Sequence, residues 1–189
     1  ACLILVADRG ARTGRRWALG GACLALTAAA VICTALGLDT LVENRSISAA
    51  WHGRTIVSYQ NSLYQNIVIT KEQEQYTFFT DGTPAATLPT PDIVRIEEIV
   101  HLPALAHGSP REVLIIHGGP GGVISEMLKY PMLRRIDYVE IDPAYLAAIA
   151  HFPSGPVRQE LGDNRVHVHY TDGRRFVKGA SGRYDIILS

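Results

Sequence analysis

The sequence predicts an α/β fold in which a parallel sheet carries helices on both faces. From residue 112 onward, apolar strand-like and helical segments alternate in the order strand, helix, strand, helix, strand, helix, strand. This alternation is typical of parallel sheets, because a parallel pair needs a crossover connection. A glycine-rich turn follows the first of these strands, and acidic residues end the second. Such sheets bind ligands at the carboxyl ends of their strands.

The glycine-rich turn is the clearest site signal. The apolar segment VLIIH at 113–117 predicts a buried strand, GGPGG at 118–122 a turn, and the apolar run from 123 a helix. A turn from strand to helix is expected to place unpaired backbone N–H groups at the positive end of a helix dipole. Glycine would be needed there because a side chain would hold a ligand away from the backbone.

Two further loops are expected at the same edge. The second strand, IDYVEID at 136–142, ends in Glu140 and Asp142, where a nucleoside-binding sheet places an acid for the ribose hydroxyls. The third strand, at 165–170, is followed by Thr171-Asp172-Gly173. The dinucleotide fingerprint fails because Ile124 stands where its third glycine should be. We therefore expect a Rossmann-like, class I methyltransferase-type sheet that binds an adenosyl-sulfonium ligand; a simple tight turn is the alternative for the glycines.

The N-terminal part predicts a membrane segment. Residues 1–16 read as the end of a preceding membrane helix followed by an arginine-rich loop, and 17–38 are uncharged and long enough for a transmembrane helix. A signal peptide is the alternative. A linker is expected over 39–52. These features predict a multi-pass membrane protein. The positive-inside tendency of the arginine-rich loop would send the globular part to the other face, whereas an enzyme of adenosyl metabolites is expected on the cytoplasmic side, so both orientations stay open and we favour the cytoplasmic one.

A small antiparallel β unit is predicted next, over 53–83. The segments RTIVSY, YQNIVIT and QYTFFT alternate apolar with polar residues and are rich in β-branched and aromatic types. Pro84, Pro89 and Pro91 mark a loop, and 91–100 predicts a short helix. The Rossmann-like domain is assigned to 84–189 and is expected to be incomplete, because the last strand has no continuation.

Composition narrows the function classes. The chain has 189 residues, with 18 basic and 18 acidic side chains and zero formal charge, so it predicts no nucleic-acid surface. Its three cysteines have neither CxxC nor Cys/His spacing, so neither a zinc site nor a disulfide framework is predicted, and no other metal site is assigned.

Taken together, these segments resemble the spermidine synthase (polyamine aminopropyltransferase) family. YQNIVIT, FFTDG, EEIVHLPAL, VLIIHGGPGG, YVEID, DNRVHVHYTDGRRF and YDIILS occur in the family's order and spacing, from residue 59 to the end. The N-terminal region resembles bacterial relatives in which membrane helices precede the synthase domain. The resemblance implies transfer of an aminopropyl group from decarboxylated S-adenosylmethionine, a co-substrate that is not covalently bound, to a polyamine-type amine, with a homodimer as a candidate assembly.

The resemblance also implies roles for individual residues. Glycines 118, 119, 121, 122 and 173 would line the donor together with Gln65, which would lie near the thioether. Glu140 would bind the ribose, Ile141 would pack on the adenine, and Asp172 would accept from the adenine amino group. Glu97 and His101 keep the places of the amine-side motif. The catalytic acid of the family would follow Ser189, so no catalytic residue is assigned within the chain.

Some positions depart from the family pattern. Pro120 replaces the aspartate that pairs with the donor's amino group, His117 replaces the first glycine of the loop, and the amine-side motif keeps only Glu97 and His101. Three hypotheses follow: an aminopropyltransferase-like enzyme, an S-adenosylmethionine-dependent methyltransferase of related fold, or a non-catalytic membrane protein with a degenerate adenosyl-binding domain.

Overall fold

The computed structural model describes residues 13–51, 53–152, 155–180 and 183–189. The chain divides into two compact units, residues 1–53 and 54–189. In the first unit, helix α1 spans Thr13–Ala35 and helix α2 spans Leu38–Ala50. Gly37 between them has a φ of 66°, a left-handed conformation that glycine adopts readily. The predicted linker at 39–52 is therefore mostly helical. Of the predicted end of a membrane helix and arginine-rich loop at 1–16, residues 1–12 lie outside the described residues.

The predicted transmembrane helix is not confirmed. Among the residues described in α1 and α2, no helix combines the length and apolar character needed to cross a membrane. The uncharged stretch at 17–38 does not form one helix, because α1 ends at Ala35 and α2 begins at Leu38. On this finding, the prediction of a transmembrane helix, and with it a multi-pass membrane location, is wrong.

The second unit begins with a four-stranded antiparallel sheet. Strands β1 (Thr55–Asn61), β2 (Asn66–Glu72), β3 (Gln75–Thr80) and β4 (Thr83–Leu88) follow one another in space as they do in sequence. The first three match the predicted strands. The fourth was predicted as loop because it contains Pro84. Proline is tolerated there because β4 is an edge strand and its register with β3 shifts between Phe78 and Phe79.

Helix α3 spans Ile93–His107 and leads from this sheet to the parallel one. It is longer than the predicted helix at 91–100. Asp92 caps it by accepting a hydrogen bond from the backbone N–H of Arg95. Ile96, Val100 and Ala104 form its buried face.

A parallel sheet follows, as predicted. Strands β5 (Glu112–Ile116), β6 (Arg135–Glu140), β7 (Val166–Tyr170) and β8 (Ile186–Leu188) are ordered β7-β6-β5-β8. Helix α4 spans Val123–Leu128, α5 Pro143–His151, α6 Gly155–Gly162 and α7 Gly173–Gly179. The chain moves from β5 to β6 and β7 on one side and then places β8 on the other side of β5. The point where this order reverses lies between β5 and β8, and such a point is the usual ligand site of an open parallel sheet.

Two apolar cores hold the second unit together. One joins the parallel sheet to α3 and α4, with Val100, Ile124 and Tyr138 fully buried. The other joins the antiparallel sheet to α5, where Phe78 and Tyr145 are fully buried. Helix α5 contributes side chains to both cores. The antiparallel sheet therefore has a fixed position beside the carboxyl end of the parallel sheet.

Candidate functional site

A cavity of about 360 Å³ lies at the reversal of strand order. Its walls include the ends of the two strands that flank this point, β5 and β8, the loop after β5, the strand β4 and the first turns of α3. The lining is largely aliphatic, with a few polar groups, and its size falls within the range of about 300–1000 Å³ found for small-molecule sites. The predicted site edge therefore contains a cleft.

The glycine loop is shaped first by packing. A Cβ on Gly119 would lie 2.8 Å from Cδ2 of Tyr138, and a Cβ on Gly122 would lie 2.5 Å from Cδ1 of Ile96. Gly122 also has a φ of 131°, which side chains rarely adopt. Gly118 and Gly121 line the cavity, whereas Gly119 and Gly122 face the protein interior. Packing therefore accounts for Gly119 and Gly122, and a role of the loop glycines in ligand approach stays a prediction.

The start of α4 is occupied by a carboxylate of the chain itself. Glu160 on α6 is 2% exposed, and its Oε2 accepts a hydrogen bond of 3.1 Å from the Gly121 N–H. Its Oε1 accepts a bond of 2.5 Å from the Ser125 hydroxyl. Burial raises the pKa of Glu160, and these hydrogen bonds oppose the rise. The prediction of unpaired N–H groups at this helix start is thus wrong for Gly121.

Glu140 lies at the predicted position but is already hydrogen-bonded on both oxygens. It is completely buried, and Oε1 accepts from the Asp142 N–H at 3.0 Å. Oε2 accepts from the Tyr138 hydroxyl at 2.8 Å and lies 2.8 Å from Nδ1 of His117. A carboxylate offers about four acceptor positions, so at most about one is left for a ribose hydroxyl.

His117 covers Glu140 on the side of the cavity. Its side chain is 41% exposed and lines the cavity, its φ is 62°, and its ring packs against Tyr145 with centroids 5.3 Å apart. The hydrogen bond to Glu140 raises the pKa of His117, against the opposing effect of burial. With Nδ1 engaged by Glu140, Nε2 is the ring nitrogen left to meet a ligand.

The three predicted loop tips lie at one edge of the sheet. The Thr171 N–H donates to the Glu140 carbonyl at 3.1 Å, which joins the loops after β6 and β7. A Cβ on Gly173 would lie 2.7 Å from Cγ2 of Ile116, which joins the loop after β7 to the end of β5. Asp172 is exposed at this edge and caps α7 through the Arg175 N–H.

The remaining predicted site residues have different surroundings. Ile141 is 36% exposed directly after β6. Gln65 precedes β2 beside the end of β3, and its buried side-chain nitrogen has no hydrogen-bond partner among the described residues. Glu97 and His101 lie on α3 and contribute to a cluster with Glu126 of α4, not to the cavity lining.

Several residues in or beside the cleft were not identified from the sequence as site residues. Asp92 and Arg95 line the cavity at the start of α3. His117 contacts the Glu140 carboxylate, and the Glu160 carboxylate accepts a hydrogen bond from the glycine loop. The residue types give little signal for these positions. The one indication available from the sequence was that His117 replaces a glycine of the family's loop.

Comparison with known proteins agrees with this geometry. The spermine/spermidine synthase domain profile matches residues 93–189. The polyamine aminopropyltransferase of Leptospira biflexa is 36% identical over 137 residues, covering 71% of this chain and 47% of the relative. That of Buchnera aphidicola is 27% identical over 154 residues, covering 82% of this chain and 50% of the relative. The chain thus spans about half the length of the curated relatives it matches.

Solved structures give the same result. The spermidine synthase from Thermotoga maritima superposes with a TM-score of 0.63 at 25% identity, covering 72% of this chain and 46% of that one. A spermidine synthase in complex with the transition state analogue AdoDATO gives the same score and identity, with 72% and 47% covered. Fold, cleft position and sequence similarity converge on one conclusion: the chain belongs to the spermine/spermidine synthase family.

Proposed function

We propose that this chain binds decarboxylated S-adenosylmethionine and that the protein transfers its aminopropyl group to a polyamine-type amine. The observation that carries the proposal is the cavity at the β5–β8 reversal, bounded by the glycine loop. The named activities of the relatives support the reaction, and the analogue complex of a structural neighbour supports the ligand class.

The adenosine would lie across the three loop tips. Asp172 is exposed, so its carboxylate is accessible to the adenine amino group, and the half-exposed Ile141 offers an apolar surface for the ring. The ribose would meet Glu140 together with His117, since the imidazole stands between the carboxylate and the cavity. The unpartnered amide nitrogen of Gln65 supports a contact with the donor, because a buried donor without an acceptor is costly.

The chemistry needs placement more than activation. A neutral amine nitrogen attacks the carbon next to the sulfonium, the carbon–sulfur bond breaks, and its electron pair stays on sulfur in the departing thioether. The new ammonium then loses a proton to a nearby base or water. Holding the two reactants in line can supply several kcal/mol of barrier lowering, up to about 7–11 kcal/mol in the best cases. The aliphatic walls at Ile96, Ile99 and Ile115 would limit water in the cavity.

The part of the site that would bind the amine substrate departs most from the family pattern. Asp92 is an acid that lines the cavity, and it is the group we assign to the amine's positive charge. Arg95 lines the same wall and would repel a second positive charge nearby. Leu188 and Ser189 also line the cavity, which supports the prediction that an acid following Ser189 in the family pattern would stand beside the reacting nitrogen.

The test is calorimetric titration of the chain with decarboxylated S-adenosylmethionine, S-adenosylmethionine and methylthioadenosine. We expect the decarboxylated compound and methylthioadenosine to bind. Asp172→Asn should weaken both by about tenfold to a hundredfold, the loss of a charged hydrogen bond of roughly 1.5–3 kcal/mol, while asparagine still caps α7. Glu140→Gln should weaken both as well.

The matched control is Asp163→Asn, because Asp163 lies before β7, at the end opposite the cavity. The Asp163→Asn variant should bind decarboxylated S-adenosylmethionine and methylthioadenosine with the affinity of the original chain. Binding of S-adenosylmethionine alone would favour a methyltransferase. Absence of binding by all three compounds would overturn the proposed function.

A further inference from the structure

A second cluster of ligand-type side chains lies between α3 and α4, apart from the cavity. Glu97, His101 and Glu126 each offer one donor atom, and these atoms lie within 4.8 Å of one another. None of the three residues lines the cavity. On α3, Asp92, Arg95 and Ile96 face the cleft, whereas the cluster uses a different face of the helix.

Glu126 contributes a buried oxygen that lacks a hydrogen bond. Its side chain is only 6% exposed, and Oε1 is paired with the ammonium of Lys129. Oε2 accepts no hydrogen bond from the described residues and points into the cluster, 3.2 Å from Nε2 of His101. Because a buried carboxylate oxygen without a hydrogen bond is costly, a cation held between this oxygen and the imidazole of His101 would stabilise it.

The ring of His101 is oriented by a hydrogen bond to Tyr130. Its Nδ1 lies 2.7 Å from the Tyr130 hydroxyl, and the two rings also pack together, with centroids 5.7 Å apart. When Nδ1 donates to that hydroxyl oxygen, the lone pair of Nε2 faces Glu126. Metal-bound histidines are commonly fixed in this way, by a hydrogen bond from the ring nitrogen that does not bind the metal.

The separation of one pair of donor atoms fits a tetrahedral dication. Two ligands at about 2.0–2.1 Å from zinc, separated by a tetrahedral angle, lie about 3.3 Å apart. The observed separation of His101 Nε2 and Glu126 Oε2 is 3.2 Å. Glu97 precedes His101 by one helical turn, so both side chains lie on the same helix face. Glu97 is exposed and therefore free to adjust its rotamer.

We propose that Glu97, His101 and Glu126 form a binding site for a divalent cation of the zinc type, with water as the fourth ligand. One imidazole and two carboxylates are a donor set that zinc accepts. Bound there, the cation links α3, whose other face lines the cavity, to α4, which follows the glycine loop. Its role is structural: it stabilises the helix pair beside the site and takes no part in group transfer.

The experiment is a competition titration of the chelator-treated chain with Zn²⁺, using a chromophoric indicator, together with Co²⁺ absorption spectra. We expect one saturable site. Removal of an outer-shell partner costs about 10–100-fold in metal affinity, so Tyr130→Phe should weaken Zn²⁺ binding by about tenfold. Glu97→Gln and His101→Gln each remove a proposed ligand, so each should weaken Zn²⁺ binding by more than Tyr130→Phe does.

His167→Gln is the matched control, because His167 is exposed and lies outside the cluster. Its Zn²⁺ affinity should be unchanged. Glu97→Gln keeps the test decisive if His101→Gln fails to fold, since Glu97 is exposed. Equal affinity in the original chain and Glu97→Gln, absence of saturable binding, or Co²⁺ spectra with thiolate charge-transfer bands would each overturn the proposal.

Discussion

Replacing Gly119 with alanine tests whether the glycine loop is dictated by packing. The added Cβ would lie 2.8 and 2.9 Å from two ring carbons of Tyr138 and 3.0 Å from Cδ1 of Ile124. Tyr138 is fully buried, and its hydroxyl is bonded to Glu140 at 2.8 Å, so the ring cannot shift without losing that bond. Overpacking costs about 1–3 kcal/mol, and the weakened hydrogen bond about 1 kcal/mol more. We expect a loss of about 2–4 kcal/mol in the free energy of unfolding.

The assay is urea unfolding followed by circular dichroism and tyrosine fluorescence. With a slope of about 2 kcal/mol/M, the expected loss lowers the midpoint by about 1–2 M. Gly162→Ala is the control, because a Cβ there meets nothing within 4 Å, so its midpoint should stay the same or rise. An unchanged midpoint in Gly119→Ala would refute the packing argument. If that variant also lost affinity for methylthioadenosine, the glycine would be needed for ligand approach instead.

Three further changes probe the same edge. Glu160→Gln should destabilise the chain by about 1–3 kcal/mol in urea unfolding, because the amide group loses one of the two acceptors used by Gly121 and Ser125; a fully stable variant would contradict this. Since the pKa of His117 is raised above 6.5, its contact with Glu140 contributes stability that is fully present below pH 6.5 and lost as the pH rises through the folded pKa. Stability measured against pH should fall above 6.5 in the original chain and less so in His117→Gln; an identical profile would argue against this assignment. Pro120→Asp should tighten binding of decarboxylated S-adenosylmethionine by about tenfold, through one charged hydrogen bond to its amino group, and leave methylthioadenosine, which lacks that group, unchanged; equal effects on both ligands would exclude the contact.

Periodicity predicted much of the second unit because its strands bury regular apolar patterns. The segment at 113–116 is entirely aliphatic, and it forms most of the strand β5, which lies between β6 and β8 in the sheet. By contrast, the residue pattern of a strand does not show whether that strand lies at the edge of its sheet, where proline is tolerated. The strand containing Pro84 was therefore predicted as loop. The uncharged run at 17–38 was misinterpreted because composition does not reveal where a helix is interrupted, here before Leu38.

The meeting of the loop tips could be predicted, but the contacts among their side chains could not. Loop tips at the carboxyl ends of parallel strands must meet, so the neighbourhood of Gly118, Glu140 and Asp172 follows from topology alone. The contact of Glu160 with the glycine loop joins residues 39 positions apart, and that of His117 with Glu140 joins residues 23 apart. Such pairings depend on how α6 and β6 pack, which a residue pattern does not encode.

The most direct measurement is hydrogen–deuterium exchange of the chain with and without saturating methylthioadenosine. The account predicts slower exchange in three separate segments, at 117–122, 140–142 and 171–173, because one adenosine contacts all three loop tips. Peptides from the helix α2 should exchange at the same rate in both states. Binding that protects only one of the three segments, or protects none of them, would contradict the central claim.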